Sequence, residues 1–258
     1  MTDCKSFKLF DAHFHIIDPH FPLVENNGFL PNYFTYDDYR QRTAKYQLRG
    51  GALVSGSFQE HDQIFMIDAL SKLGEGFVGV IQLPDSVSDQ TILDLHKVGV
   101  RGVRFNLKRG ITKHIDQIEK CARRIFELAG WHIELYVDSS DLAPMIPFLS
   151  SLPAVSIAHF ALSRAGFDDL LKLVEKGIRV KATGFGRIDF DASYAMKKIC
   201  AVNSDNLMFG TDLPSTRAKK PFTHDDFLLI IETLGEDQAR KVFYDNAVKF
   251  YFPAGKID

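Results

Sequence analysis

Two histidines two positions apart, His13 and His15, close the segment LFDAHFHIIDP, with Asp11 just before them. Successive side chains on a strand point to opposite faces. Positions 11, 13 and 15 are therefore expected to share one face, and Phe10, Ala12, Phe14 and Ile16 the other. Further along, His159 stands in IAHF and Asp212 in FGTDLP, each just after a short apolar run. Attack of water on an ester or lactone carbonyl needs a base to take a proton and groups that stabilise the oxyanion. A carboxylate and several imidazoles supply both, either directly or by holding an ion that polarises the carbonyl. Each residue also has a plainer reading. The histidines could be satisfied core residues, and Asp212 could cap the TDLP turn.

Elements that would position these groups are visible along the chain. Besides the opening segment, seven short runs rich in β-branched or aromatic residues read as buried parallel strands. They are QLRGGALVSGS, GEGFVGVIQLPDS, GVRGVRFNLK, WHIELYVDSS, PAVSIAHFAL, GIRVKATGFG and DNLMFGTDLPS. Helical patterns lie between them. IDQIEKCARRIFELAG places Ile115, Ile118, Cys121, Ala122, Ile125 and Leu128 on one stripe and stops at Gly130. SRAGFDDLLKLVEKG is expected to start at Ser163 as N-cap and to stop at Gly177. Strand followed by helix, about eight times and without a linker, predicts a single (β/α)8 TIM barrel over residues 1–258. A doubly wound open sheet is the alternative, but no Gly-rich phosphate turn follows the first strand.

Composition narrows the function classes. A net charge of −2 argues against a dedicated nucleic-acid surface or a polybasic membrane patch. No apolar run approaches the roughly 18 residues of a spanning helix, and Met1 to Lys5 lacks a signal-peptide apolar region. Cys4, Cys121 and Cys200 are widely spaced and in no metal-ligand pattern. A cytoplasmic protein is expected.

In a barrel, chemistry sits at the C-terminal strand ends. In order these offer His13 and His15, Ser55 and Ser57, Gln82, Arg104 and Asn106, Tyr136 and Asp138, His159, Lys181 and Thr183, and Asp212. Arg101 lies three residues from Arg104 and faces the other way, so Arg104 is the better ligand and Arg101 a structural ion-pair partner. Arg187 and Arg217 follow strands seven and eight and could grip a carboxylate bidentately. Tyr33, Tyr36 and Tyr39 fall in the long first loop segment, a candidate lid, and Lys219 and Lys220 read as surface. His20, His61, His96, His114 and His224 fall in loops or helices and are given no role.

DAHFH, IAHF and FGTDLP together resemble the amidohydrolase superfamily, from the first strand to the eighth and in that family's order. Within it the chain is most similar to the branch of 2-pyrone-4,6-dicarboxylate lactonase and the sugar lactonases. The resemblance implies a reaction centre of His13, His15, His159 and Asp212, with Asp212 as acid/base. RGVRFN on strand four also resembles that branch, where arginines hold substrate carboxylates. The chain departs from metal-rich members, which carry a Lys or carboxylate ending strand four and a His ending strand five. Here those ends offer Arg104, Asn106 and Tyr136, and His132 lies at the start of its strand.

A two-metal site therefore lacks its bridging ligand. The set His13, His15, His159 and Asp212 suffices for one divalent ion such as zinc with an open position, and equally for metal-independent chemistry. The expected activity is lactone hydrolysis of a small anionic cyclic ester by Asp212-activated water. Ser57, Gln82, Arg104, Asn106, Tyr136, Lys181, Arg187 and Arg217 are the candidate substrate contacts. The expected partner is a small carboxylated molecule, with no nucleic acid and no membrane; a homodimer is admitted but not specified. A related decarboxylase of aromatic acids, a metal-dependent phosphoesterase and a non-catalytic anion-binding barrel stay as alternatives.

Overall fold

Parallel strands buried on both faces need helices outside and side chains inside, and the computed structural model takes that form. It describes residues 4–108 and 115–253; His114 and residues 1–3 of the N-terminal segment lie outside the described residues. Eight parallel strands follow one another in chain order around a (β/α)8 barrel. They are β1 (Lys8–Phe14), β2 (Gln47–Val54), β3 (Phe77–Ile81), β4 (Val100–Asn106), β5 (His132–Tyr136), β6 (Val155–Ile157), β7 (Arg179–Ala182) and β8 (Leu207–Phe209). The seam between first and last strands is closed just beyond β8. There the Asp212 N–H donates to the His13 carbonyl at 2.8 Å and the His15 N–H to the Leu213 carbonyl at 2.7 Å.

The helix Ile115–Ala129 buries Ile118, Ala122 and Ile125 and stops at Gly130 with φ 67°, as its pattern predicts. The next patterned helix differs at its start. It spans Phe167–Glu175 with Gly166, not Ser163, at the N-cap. Gly166 passes so close to the Ser139 carbonyl that a side chain there would collide, while the Ser163 hydroxyl turns to Asp138.

The strict alternation expected of β1 fails at one place. Asp11 pairs with Gly51 but Phe14 with Leu53, so β1 carries one extra residue, a bulge. Phe10 and Ala12 consequently join the barrel interior with Ala52, Val54, Val78, Val80 and Met208, plugged from below by Tyr251 stacked on Phe10 at 5.3 Å. His13 and His15 point inward above them, whereas Phe14 points outward, stacked on Tyr39.

Asp11, expected beside the histidines, faces the outer layer instead. Its carboxylate accepts from the Thr211 N–H (2.8 Å) and hydroxyl (2.6 Å), the Tyr39 hydroxyl (3.2 Å) and the His13 N–H (3.3 Å). This clasp fixes the end of β1 against the residues that follow β8. Tyr39 is therefore a buried core residue and no part of a lid.

Candidate active site

The four groups singled out by type converge at the C-terminal end of the barrel. The His13 ring centroid lies 5.1 Å from that of His15 and 4.8 Å from that of His159. Asp212 Oδ1 stands 4.0 Å from His13 Nε2 and 3.8 Å from His15 Nε2, and its Oδ2 accepts from Arg187 Nε at 2.6 Å. All five side chains are essentially sealed from solvent.

The local backbone is unusual where function is suspected. His159 to Leu162 form a left-handed turn with φ of 54°, 51°, 57° and 68°, and Asp212 has φ 60°. Non-glycine residues held in this region cost on the order of 1–3 kcal/mol each and need surrounding structure to hold them. Two glycines make room. A Cβ on Gly184 would lie 2.6 Å from His159 Nδ1, and one on Gly210 would lie 2.6 Å from the His13 backbone nitrogen.

Burial decides the charge state of the imidazoles. It holds His13 and His159 well below the usual histidine range, with Lys181 the next contributor at His13 and Arg187 at His159. Burial, then Arg104, brings His15 down to about 3. The histidines are thus neutral near pH 7. Burial also works against the charge on Arg187, but the Asp212 carboxylate outweighs it and moves that guanidinium upward.

An inner cavity opens against this cluster. Its described lining includes His15, Ser57, Phe58, Arg104, Asn106, Tyr136, His159, Arg187 and Arg217, with no Asp or Glu. Beyond it a cavity of about 250 Å³ shares Tyr136, Arg187 and Arg217 and adds Lys108, Asp138, Asp189 and Lys219. Seven of the eight expected substrate residues can be placed as follows. Ser57, Arg104, Asn106, Tyr136, Arg187 and Arg217 reach the inner cavity. Arg104 is anchored by a 2.8 Å bond to the Ser55 carbonyl, and Arg217 is held by Asn26 over the Phe29 ring. Gln82 does not line it, because its amide donates to the Gly56 and Glu60 carbonyls and braces the loop after β2.

Lys181, the eighth, is also displaced: it is fully buried beneath His13 in an ion pair with Glu134. Arg101 serves the fold, though through the His96 and Val100 carbonyls at 2.9 and 2.8 Å. His132 sits low in the barrel against Phe250 and Tyr251, away from the cluster.

Glu134 was not legible as a site residue. It is fully buried, with Oε1 3.4 Å from His13 Nδ1 and 3.9 Å from Arg104 Nε. One signal was available: His132, Glu134 and Tyr136 alternate on the same face of a short buried strand, where an acidic residue needs a partner.

His13, His159 and Asp212 each offer one donor atom, all within 4.8 Å of one another. Neither ring nitrogen of His13 makes a well-formed hydrogen bond among the described residues, Nδ1 having Glu134 Oε1 at 3.4 Å. This donor set fits one divalent ion by type and spacing. His15 lies outside that group, with Nδ1 at 2.7 Å from the Val54 carbonyl.

A family model described as Amidohydrolase matches residues 10–252. A 2-pyrone-4,6-dicarboxylate hydrolase of Comamonas testosteroni is 25% identical, over 94% of this chain and 90% of its own length. A 4-sulfomuconolactone hydrolase of Rhizobium radiobacter is 22% identical, over 93% and 89%. Among solved structures, a protein of Acinetobacter baumannii described as a probable 2-pyrone-4,6-dicarboxylic acid hydrolase superposes with a TM-score of 0.84. Its identity is 19%, over 94% of this chain and 98% of that one.

The buried imidazoles make acid stability a test of this site. His13, His15, His132 and His159 all titrate below 6.5 in the fold. As pH falls below about 6.5 the unfolded chain takes protons that the fold refuses, at about 1.4 kcal/mol per pH unit for each. Asp11 has the opposite sign. Burial raises it from 3.8 to about 6, so its contribution is present below 3.8 and lost as pH rises through 6. Four groups outweigh one, and the urea midpoint is expected to fall steeply from pH 6.5 to pH 5. A flat or rising midpoint contradicts the neutral-histidine site.

Proposed function

The chain belongs to the amidohydrolase family, and from that premise we propose that it is a lactonase opening a small carboxylated cyclic ester. The observation that carries the substrate class is the inner cavity wall, where Arg104, Arg187 and Arg217 meet His15 and His159 with no Asp or Glu among the described lining. The Comamonas testosteroni and Rhizobium radiobacter relatives are each named for a substrate bearing acidic groups, a dicarboxylate and a sulfo lactone.

In this reading Arg104 and Arg217 hold substrate carboxylates, a guanidinium fork matching each with parallel hydrogen bonds. Asp212 takes the proton from the attacking water as the carbon–oxygen bond forms. The positive balance of the cavity wall favours the developing oxyanion. When the ring carbon–oxygen bond breaks, the departing oxygen takes the proton back from Asp212. Arg187 fixes the Asp212 carboxylate through Oδ2 and leaves Oδ1 toward the histidines. Tyr136, with Arg104 5.5 Å from its ring and His159 edge-on to it, completes the wall.

One divalent ion bound by His13, His159 and Asp212 would supply Lewis-acid polarisation of the carbonyl. Around that donor set three cations, Arg104, Lys181 and Arg187, stand against two carboxylates, Glu134 and Asp212, a balance that works against a dication. The reading is therefore of turnover that does not need the ion. No described helix is long and apolar enough to cross a membrane, and the three cysteines are free thiols. These fit a cytoplasmic enzyme.

Carboxylated lactones and pyrones are expected to be opened in preference to neutral sugar lactones. Arg104→Ala and Arg217→Ala should each raise KM about tenfold or more, with kcat less affected, as loss of a charged hydrogen bond requires. Preference for neutral lactones, with both variants harmless, overturns the substrate assignment. Protein purified without added ions is expected to carry well under one metal per chain and to keep its turnover after chelation. A stoichiometric ion whose removal abolishes activity contradicts the metal-independent reading.

A further inference from the structure

Beneath the candidate active site, two opposite charges are sealed inside the barrel and touch neither cavity. Glu134 on β5 and Lys181 on β7 are each 0% exposed and form an ion pair through Glu134 Oε2. The other oxygen, Oε1, is 3.4 Å from His13 Nδ1 and 3.9 Å from Arg104 Nε, and the sheet register sets Glu134 directly beside Arg104. A neutral imidazole has one N–H and one lone pair, and an ionised carboxylate only accepts. A lone pair on Nδ1 would face a carboxylate oxygen at close range in a buried site, which is costly. An N–H there would meet an acceptor.

We propose that Glu134, with Lys181 as its counter-ion, is a positioning residue that holds His13 as the Nδ1–H tautomer and turns its Nε2 lone pair toward Asp212. Lys181 matters in two ways. It neutralises a carboxylate that could not otherwise be buried cheaply, and by taking Oε2 it leaves Oε1 for His13 and Arg104. Nε2, 4.0 Å from Asp212 Oδ1, is then the acceptor that holds the attacking water beside the base. The tautomer assignment stands on geometry alone; its effect on turnover rests on the lactonase reading above.

Ring ¹⁵N–¹H correlation spectra of the full-length protein test this, with His13 assigned from a His13→Gln spectrum. The wild-type protein is expected to show protonated Nδ1 and unprotonated Nε2. In Glu134→Gln the amide oxygen is drawn to Lys181, so the amide NH2 faces His13 and Nδ1 must accept. His13 is expected to switch to the Nε2–H form, with kcat down roughly 10–100-fold, as for other outer groups that orient a histidine, and KM little changed.

In Glu134→Gln/Lys181→Met the ammonium is gone. The amide oxygen can return toward Arg104 Nε–H and His13 Nδ1–H, restoring the Nδ1–H tautomer and most of kcat. A wild-type His13 protonated on Nε2 overturns the proposal, as does a Glu134→Gln protein that loses kcat while keeping the wild-type tautomer. The predicted switch in a protein that opens no lactone would support this inference and contradict the substrate reading alone.

Discussion

Charge sealed away from water governs this barrel. Arg104, Lys181 and Arg187 face Glu134 and Asp212 in an interior with almost no solvent contact. Ions in such a place cost several kcal/mol each unless paired, and the arrangement follows that constraint. Lys181 pairs with Glu134 and Arg187 with Asp212, while Arg104 leans on the Ser55 carbonyl within reach of Glu134. Burial keeps the histidines neutral, and the neighbouring cations push the same way. Three cations against two carboxylates leave a positive balance at the cavity floor, and Arg217 adds to it at the wall. In the proposed reading an anionic substrate completes that balance, whereas a dication would add to it.

The barrel delivers these groups by local departures from regularity. A bulge turns His13 inward on the strand where Ala12 is already inward. A left-handed turn swings His159 across the mouth after β6 ends, and Asp212 likewise takes a positive φ after β8. The Asp11 clasp ties β1 to the segment carrying Asp212, so the two halves of the candidate site share one anchor. Residual strain of this kind gathers where geometry is held for chemistry rather than for stability.

What the sequence revealed divides along the same line. The (β/α)8 order was legible because short apolar runs and amphipathic stretches alternate without interruption. His13, His15, His159, Asp212 and the arginines near them were legible because polar residues at C-terminal strand ends are conspicuous. Asp11 was assigned to the wrong face because a bulge leaves no mark in a hydrophobicity pattern. Lys181 and Gln82 stand at strand ends as clearly as Arg104, yet one pairs downward with Glu134 and the other braces a loop. Both outcomes depend on partners far off in sequence. Glu134 was missed because a mid-strand acid acquires meaning only from what sits across the barrel.

In the proposed reading the cationic cavity seats a carboxylated lactone with its carbonyl against Asp212. A crystal structure of Asp212→Asn protein soaked with a carboxylated pyrone tests it most directly, since an amide keeps the size but cannot take a proton. The ligand is predicted to place a carboxylate on the Arg104 and Arg217 guanidiniums and its carbonyl carbon among the side chain at position 212, His13 and His159. A pyrone bound with its carboxylates turned away from both arginines, or with its carbonyl remote from position 212, would contradict the account.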